Sequence, residues 1–418
     1  MISGINTLDD FDVRGKTVIC RVDLNQPVDR DTGKLMDITR IKACVPTIEE
    51  LSNGGAKVVL LAHQGSDIEY KNFYTLRPHA KVLTELLGKD VMFLEDLWGP
   101  AALDRIRSLE EGQILLLENV RFASEEQTLF EKNLRLTPEQ QAQTLIVRKL
   151  APLADLYICD AFAAAHRNQP SLCGFEQVLP SAMGRLFEKE YSILSSLMDD
   201  PKHPCTFVLG GAKVADAFIM MGRVLEKGVA DNILTGGLVA NILLASQGFP
   251  IGNGSLKFIE DSGYGEYIDK SKEIYAKYSE RIYLPHDLAY VEDNSRVDTP
   301  LDKVPQDITS VDIGVRTATE YQRIIKESET VFVNGPMGVF EEDVSGTGTE
   351  MVWDAIADTD GFTVIGGGDS ITATKKYGKT DDISYICTGG GALIRFLSGK
   401  ELPVITALKQ AAKYRKEQ

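Results

Sequence analysis

The chain has 418 residues, 43% hydrophobic and 25% charged, which suits two or more domains with full cores and excludes a disordered chain. A net charge of −16 argues against broad electrostatic binding to nucleic acid or an anionic membrane, so an anionic ligand needs a local basic pocket. No apolar run approaches the roughly 18 residues of a membrane span, and Asp9, Asp10 and Asp12 stand where a signal peptide would be basic and then apolar. Cys20, Cys44, Cys159, Cys173, Cys205 and Cys387 lack C-x-x-C spacing, so a cytoplasmic protein with reduced core thiols is expected.

Residues 17–27 read as a strand that stops at Pro27, with Asp23 and Asn25 near its carboxyl end. For either residue alone, an Asx-turn closing the strand is the plainer role. Further strands are expected at 57–62, 91–94, 114–117 and 156–159, separated by helical patterns over 40–51 and 76–87. This is βαβ alternation, hence a parallel sheet. His63 follows the second strand, Arg121 lies beyond the fourth, and His166 and Arg167 follow the fifth. With Arg21 and Arg40 the group is mostly guanidinium, which grips carboxylate or phosphate with paired hydrogen bonds and suits a small polyanion better than a metal. Taken singly, each arginine would more often make a surface ion pair and each histidine a structural hydrogen bond.

Helical period over 186–198, then a polar, proline-rich 199–204, marks a connection between domains. After it, 207–209 reads as a buried strand, Gly210 and Gly211 as a tight turn, and Lys213 as the start of a helix with Val214, Phe218 and Leu225 on its apolar side. Free backbone N–H groups and a lysine there would seat an anion. Plain α/β packing is the better reading of this turn alone, because Val214 follows the lysine where a P-loop has Ser or Thr. Strands are expected near 232–234, 282–284, 331–333, 363–365 and 385–387, and the last three also run into glycines. Four such turns share the carboxyl edge of one sheet, where open α/β sheets bind ligands. Asp369 among phosphates would call for a cation such as Mg²⁺, or it or Ser370 would cap the next helix; the two roles are compatible. The tail from 403 has a short helical period and a basic end, and pattern alone leaves its docking undecided. A dinucleotide oxidoreductase would need a G-x-G-x-x-G opening a helix with an acidic residue about twenty further on, and no such unit stands out.

Arg21-Val-Asp-Leu-Asn25, Leu117-Glu-Asn-Val-Arg-Phe122, Asp160-Ala-Phe to Ala165-His-Arg167, Leu209-Gly-Gly-Ala-Lys-Val214, Asn334-Gly-Pro-Met-Gly-Val-Phe-Glu341, Gly366-Gly-Gly-Asp369 and Thr388-Gly-Gly-Gly-Ala392 resemble, in order, motifs of the phosphoglycerate kinase family. His63-Gln-Gly and Thr235-Gly-Gly-Leu are similar to archaeal members. The resemblance implies an α/β protein of two doubly wound parallel-sheet, Rossmann-like domains facing across a cleft. Residues 1–180 would bind phosphoglycerate, 181–204 connect, 205–400 bind nucleotide, and 401–418 return to the first domain. The implied reaction is reversible, Mg²⁺-dependent phosphoryl transfer between 1,3-bisphosphoglycerate and ADP, giving 3-phosphoglycerate and ATP directly after hinge closure, as in glycolysis and gluconeogenesis.

Carried over by motif, Asp23, Asn25, Arg40, His63, Gln64, Gly65, Ser66, Arg121 and Arg167 are expected at the phosphoglycerate. Gly211, Ala212, Lys213, Asn334, Pro336, Gly338, Glu341, Gly366, Gly367, Gly368, Asp369 and Ser370 are expected at the ATP or ADP, with Glu341 on the ribose and Asp369 on Mg²⁺. Arg40, Lys213, Gly367 and Gly390 would act on the transferring phosphoryl. Nucleic acid, membrane and obligate protein partners are not expected. Many family members have arginine where Ser66 stands and a second lysine where Ala217 stands. These two departures are the only support for a noncatalytic nucleotide-binding descendant, against which stand Arg40, Lys213, Asp369 and the glycine turns.

Overall fold

The computed structural model describes residues 4–29, 31–65 and 73–414. It falls into two units, one of the residues up to Ile193 with those from Glu401 on, the other from Leu194 to Lys400.

The first unit is built on strands β1 (Thr17–Arg21), β2 (Lys57–Leu61), β3 (Val91–Leu94), β4 (Ile114–Leu117), β5 (Leu156–Cys159) and β6 (Ser181–Met183). They form one parallel sheet in the order β3-β4-β2-β1-β5-β6. Val58 to Leu61 and Ile114 to Leu117 are all fully buried, the continuous apolar run of a strand covered on both faces. β1 ends at Arg21, not at Pro27: Val22 N still donates to Leu61 O, but Asp23 Oδ1 then takes Asn25 N at 3.1 Å and turns the chain out of the ladder. Three-residue β6 is too short to leave a periodic signal and was not expected from the sequence.

Helix Arg185–Asp199 starts where Asp160 Oδ1 accepts Leu186 N (2.9 Å) and Phe187 N (3.1 Å), and the division between the units falls inside it. Helix Pro403–Tyr414 packs on β6 and on helix Pro170–Cys173 of the first unit, burying Val404, Ala407 and Leu408. Pattern left that docking open; the apolar stripe decides it.

The second unit holds β7 (Cys205–Leu209), β8 (Asn232–Thr235), β9 (Ile282–Tyr283), β10 (Asp287–Glu292), β11 (Ser295–Pro300), β12 (Asp312–Ile313), β13 (Thr330–Asn334), β14 (Phe362–Gly366) and β15 (Tyr385–Ile386). Six make a parallel sheet, β15-β14-β13-β7-β8-β9. The other three form an antiparallel sheet, β11-β10-β12, absent from the sequence expectation. Its hairpin turns on Asp293 and Asn294, both at positive φ (50° and 58°), a two-residue turn usually signalled by a glycine that is missing here. All six cysteines are free and buried, and no helix among the described residues is long and apolar enough to cross a membrane.

Candidate functional site

In the first unit, the carboxyl ends of β1, β2 and β4 bring basic side chains together. Arg21 is fully buried; its Nε donates to Ser171 Oγ (3.0 Å) and another N–H meets His63 Nδ1 at 3.0 Å. A guanidinium can only donate, so His63 Nδ1 accepts and the ring proton sits on Nε2. Burial first, then the charges of Arg121, Arg21, Arg40 and Arg167, hold the His63 pKa well below its ordinary value. His63 is therefore neutral at pH 7, inside a field of four guanidinium groups.

Arg121 is buried as well. Desolvation, helped by Arg167 and Arg21, lowers its pKa to about 10; one N–H bonds Gly65 O, and its Nε has no acceptor among the described residues. Arg40 pairs with Asp23 at 3.1 Å and Arg167 with Glu131 at 3.8 Å. Asp23 thus both closes an Asx-turn and orients Arg40. Asn25 Oδ1 is occupied by Gly65 N at 3.0 Å. Gln64 holds the loop through internal bonds, its Oε1 accepting Gln26 N (3.0 Å) and meeting His79 Nε2 (3.0 Å) and its Nε2 donating to Gln26 O (2.8 Å). Ser66 lies outside the described residues.

In the second unit the glycine turns interlock. Gly210 N donates to Asn334 O (3.0 Å) and Gly211 N to Pro336 O (2.8 Å), so these two donors are consumed and the expectation that they face an anion is corrected. Gly335, at φ +95°, sits so close that a Cβ would lie 2.1 Å from Gly210 O. The open donors begin one step later, at Ala212 and Lys213, where helix Val214–Glu226 starts. Lys213 is that helix's N-cap; its ammonium is exposed and has no partner among the described residues.

Opposite, Gly367 is the N-cap of helix Gly368–Lys376 and no side chain caps it, which corrects the capping alternative for Asp369 and Ser370. Ser370 Oγ instead accepts Gly335 N at 2.6 Å, while Asp369 stays exposed. Gly211, Ala212, Lys213, Asn334, Gly367, Gly368, Asp369 and Ser370 line one small recess. A cavity of about 270 Å³ adjoins it through Gly211, Ala212 and Asp369 and extends to Pro336, Gly338 and Glu341. Gly366 and Gly390 line neither. A Cβ on Gly366 would meet Leu393 Cδ2 at 2.0 Å, so its bareness serves packing, and Gly390 opens helix Gly390–Leu397 just past β15.

A family model described as "Phosphoglycerate kinase" matches residues 8–400. The chain belongs to the phosphoglycerate kinase family. It is 46% identical over 405 residues, 97% of each chain, to the phosphoglycerate kinase of Methanothermobacter thermautotrophicus. It is 41% identical to that of Thermococcus kodakarensis, over 96% of each chain. The crystal structure of phosphoglycerate kinase from Pyrococcus horikoshii OT3 matches with a TM-score of 0.87 at 40% identity, covering 98% of this chain and 99% of that one. The enzyme from Coxiella burnetii matches at 0.82 and 29% identity, covering 98% of this chain and 100% of that one. Archaeal relatives dominate the strongest similarities. The protein is accordingly an enzyme, a phosphotransferase, with two α/β domains each carrying a parallel sheet.

Phosphoglycerate kinases use nucleotide with Mg²⁺, and the residues here suit a metal that arrives with its ligand. Among the described residues no three His, Cys, Asp or Glu side chains gather to hold a metal; one hard, exposed carboxylate, Asp369, stands at the anion recess. Mg²⁺ takes one or two carboxylates and fills its shell with phosphate and water oxygens, so this donor set fits.

Some residues of these two candidate sites had no individual signal. Asn119 Oδ1 accepts Gln64 N (3.2 Å) and Arg121 N (3.0 Å), and its Nδ2 donates to Gln64 O (2.8 Å) and Tyr74 O (2.9 Å). One buried amide thereby ties the loop of His63 to that of Arg121; only its place inside Leu117–Phe122 hinted at it. Gly237, Leu238, Asn241, Ser310 and Asp312 also line the larger cavity. Asp312 anchors this wall: it accepts Gly348 N (2.7 Å) and pairs with Arg296 (3.2 Å), and burial, opposed by Arg296, lifts its pKa to about 6.

Proposed function

We propose that the chain transfers the acyl phosphate of 1,3-bisphosphoglycerate to ADP, and runs the reverse with ATP and 3-phosphoglycerate, in cytoplasmic glycolysis or gluconeogenesis. The observation that carries the reading is the separation of two anion-binding sets by unit: buried guanidinium groups around His63 in the first, helix N-termini with Lys213 and Asp369 in the second. Arg121, whose buried Nε is unpaired among the described residues, Arg40 and Arg167 would take the carboxylate and phosphate of phosphoglycerate. Ala212, Lys213 and the backbone at Gly368 and Asp369 would take the nucleotide phosphates, and Glu341 the ribose.

In the direction of ATP synthesis a β-phosphate oxygen of ADP forms the new P–O bond as the acyl P–O bond breaks, and the carboxylate leaves. Both the attacking and the leaving oxygen are anionic already, so no general base is needed; alignment and charge neutralisation remain. Arg40 and Lys213 supply cationic donors, and Mg²⁺ bound at Asp369 would neutralise phosphate charge. Direct transfer requires the two ligands to meet, so closure of the units and exclusion of water are part of the proposal. The test is a coupled assay of ATP-dependent phosphorylation of 3-phosphoglycerate with and without Mg²⁺. Turnover that needs all three supports the reading; nucleotide binding without turnover replaces it with a noncatalytic binding protein.

A further inference from the structure

The loop that carries Glu341 hangs on one helix at both ends. Near the N-terminus of helix Gly368–Lys376, Ser370 Oγ accepts Gly335 N at 2.6 Å. At the other end, Lys376 Nζ donates to two successive carbonyls, Phe340 O at 2.8 Å and Glu341 O at 2.9 Å, and pairs with Asp343 at 2.8 Å. Tyr377 OH adds a bond to Gly346 O at 3.2 Å. Asp343 is 95% exposed, so that ion pair adds little, and the carbonyl bonds are what matter.

Between these ties the chain has no helix or strand of its own. The Glu341 carboxylate has neither a hydrogen bond nor an ion pair among the described residues, so its direction depends on its backbone. We propose that Lys376 is a positioning residue for the nucleoside half of the nucleotide: by holding the Phe340 and Glu341 carbonyls it aims Glu341. The inference rests on the reading of Glu341 as the ribose contact. It also gives the helix a second task, since its first turn carries Asp369 at the phosphates and its last residue sets the ribose contact, in one rigid element.

The test is calorimetric binding of Mg·ADP and of Mg·tripolyphosphate, which has no nucleoside, to the full chain and to its K376M, K376R and E341A variants, with steady-state kinetics. K376M should weaken ADP roughly tenfold, as expected for losing a charge-assisted hydrogen bond, and leave tripolyphosphate within about twofold. KM for ADP should rise with kcat changed less than about twofold, the mark of lost uniform binding. K376R should recover most of the affinity, because its guanidinium can still reach the carbonyls. K376M combined with E341A should bind ADP no more weakly than E341A alone. Unchanged ADP affinity in K376M, with E341A weakened, overturns the role of Lys376 and leaves the Glu341 reading standing. Equal losses for ADP and tripolyphosphate in K376M also overturn it, since the effect would then lie at the phosphate end. Unchanged affinity in E341A removes the Glu341 reading and this inference with it.

Discussion

In the proposed mechanism, Lys213 is the side chain on which the nucleotide half depends most. It stands at the N-cap position of helix Val214–Glu226 beside the recess, its ammonium without a partner among the described residues. Ala217, where a second lysine is common in the family, is buried on the inner face of the same helix, so a lysine placed there would have to thread outward before helping. Lys213→Ala should lower kcat at least about a hundredfold, roughly 3 kcal/mol of transition-state stabilisation, with a smaller change in nucleotide Kd. Stopped-flow turnover and equilibrium binding measured side by side check this; lost affinity with intact kcat would make Lys213 a ground-state clamp. A second single-residue effect concerns acid stability. His79 is 1% exposed, its Nε2 lies 3.0 Å from Gln64 Oε1, and burial brings its pKa to about 4. The unfolded chain protonates this histidine below about pH 6.5 while the folded one stays neutral until pH 4, so stability falls as pH drops through that window. The loss approaches roughly 3 kcal/mol. His79→Gln keeps an amide donor toward Gln64 without titrating. Urea denaturation should show the variant gaining about that amount relative to its parent between pH 7 and pH 4; a difference constant with pH would clear His79 of the acid limb.

Among the elements, the C-terminal helix Pro403–Tyr414 links stability to binding. Val404 and Leu408 are fully buried against the first unit, Ile405 nearly so, and Val404 N donates to Ala165 O at 3.4 Å, two residues before Arg167. Ending the chain at Lys400 should cost roughly 5 to 9 kcal/mol, from three aliphatic side chains at about 1.5 to 3 kcal/mol each. The same truncation should raise KM for 3-phosphoglycerate more than KM for ATP, because the Arg167 loop loses its backing. Calorimetric unfolding and paired KM measurements test both; equal shifts in the two KM values would confine the helix to a general stabilising role.

For the whole molecule, the proposed mechanism places donor and acceptor on different units, so neither ligand alone can bridge them. Small-angle scattering should show the radius of gyration nearly unchanged with 3-phosphoglycerate or nucleotide alone and reduced with both plus Mg²⁺. No reduction in the ternary complex would defeat closure as the route to transfer.

Most parallel strands and all four glycine turns were legible in the sequence, because a strand covered on both faces must be continuously apolar and its exit must be bare enough for loops to meet. The ordered motifs added the family. Short β6 and the β10–β11 hairpin escaped, one for want of length and the other because its turn is Asp293-Asn294 without glycine. The finer chemistry was decided only by the tertiary structure. Whether Gly210 and Gly211 keep free N–H groups depends on Asn334 and Pro336, more than a hundred residues away in the chain. Where Gln64 points depends on Gln26 and His79, and the aim of Glu341 on Lys376. Local pattern reports burial and turns, which neighbouring residues dictate, but a donor or acceptor is committed only when a distant loop arrives to take it.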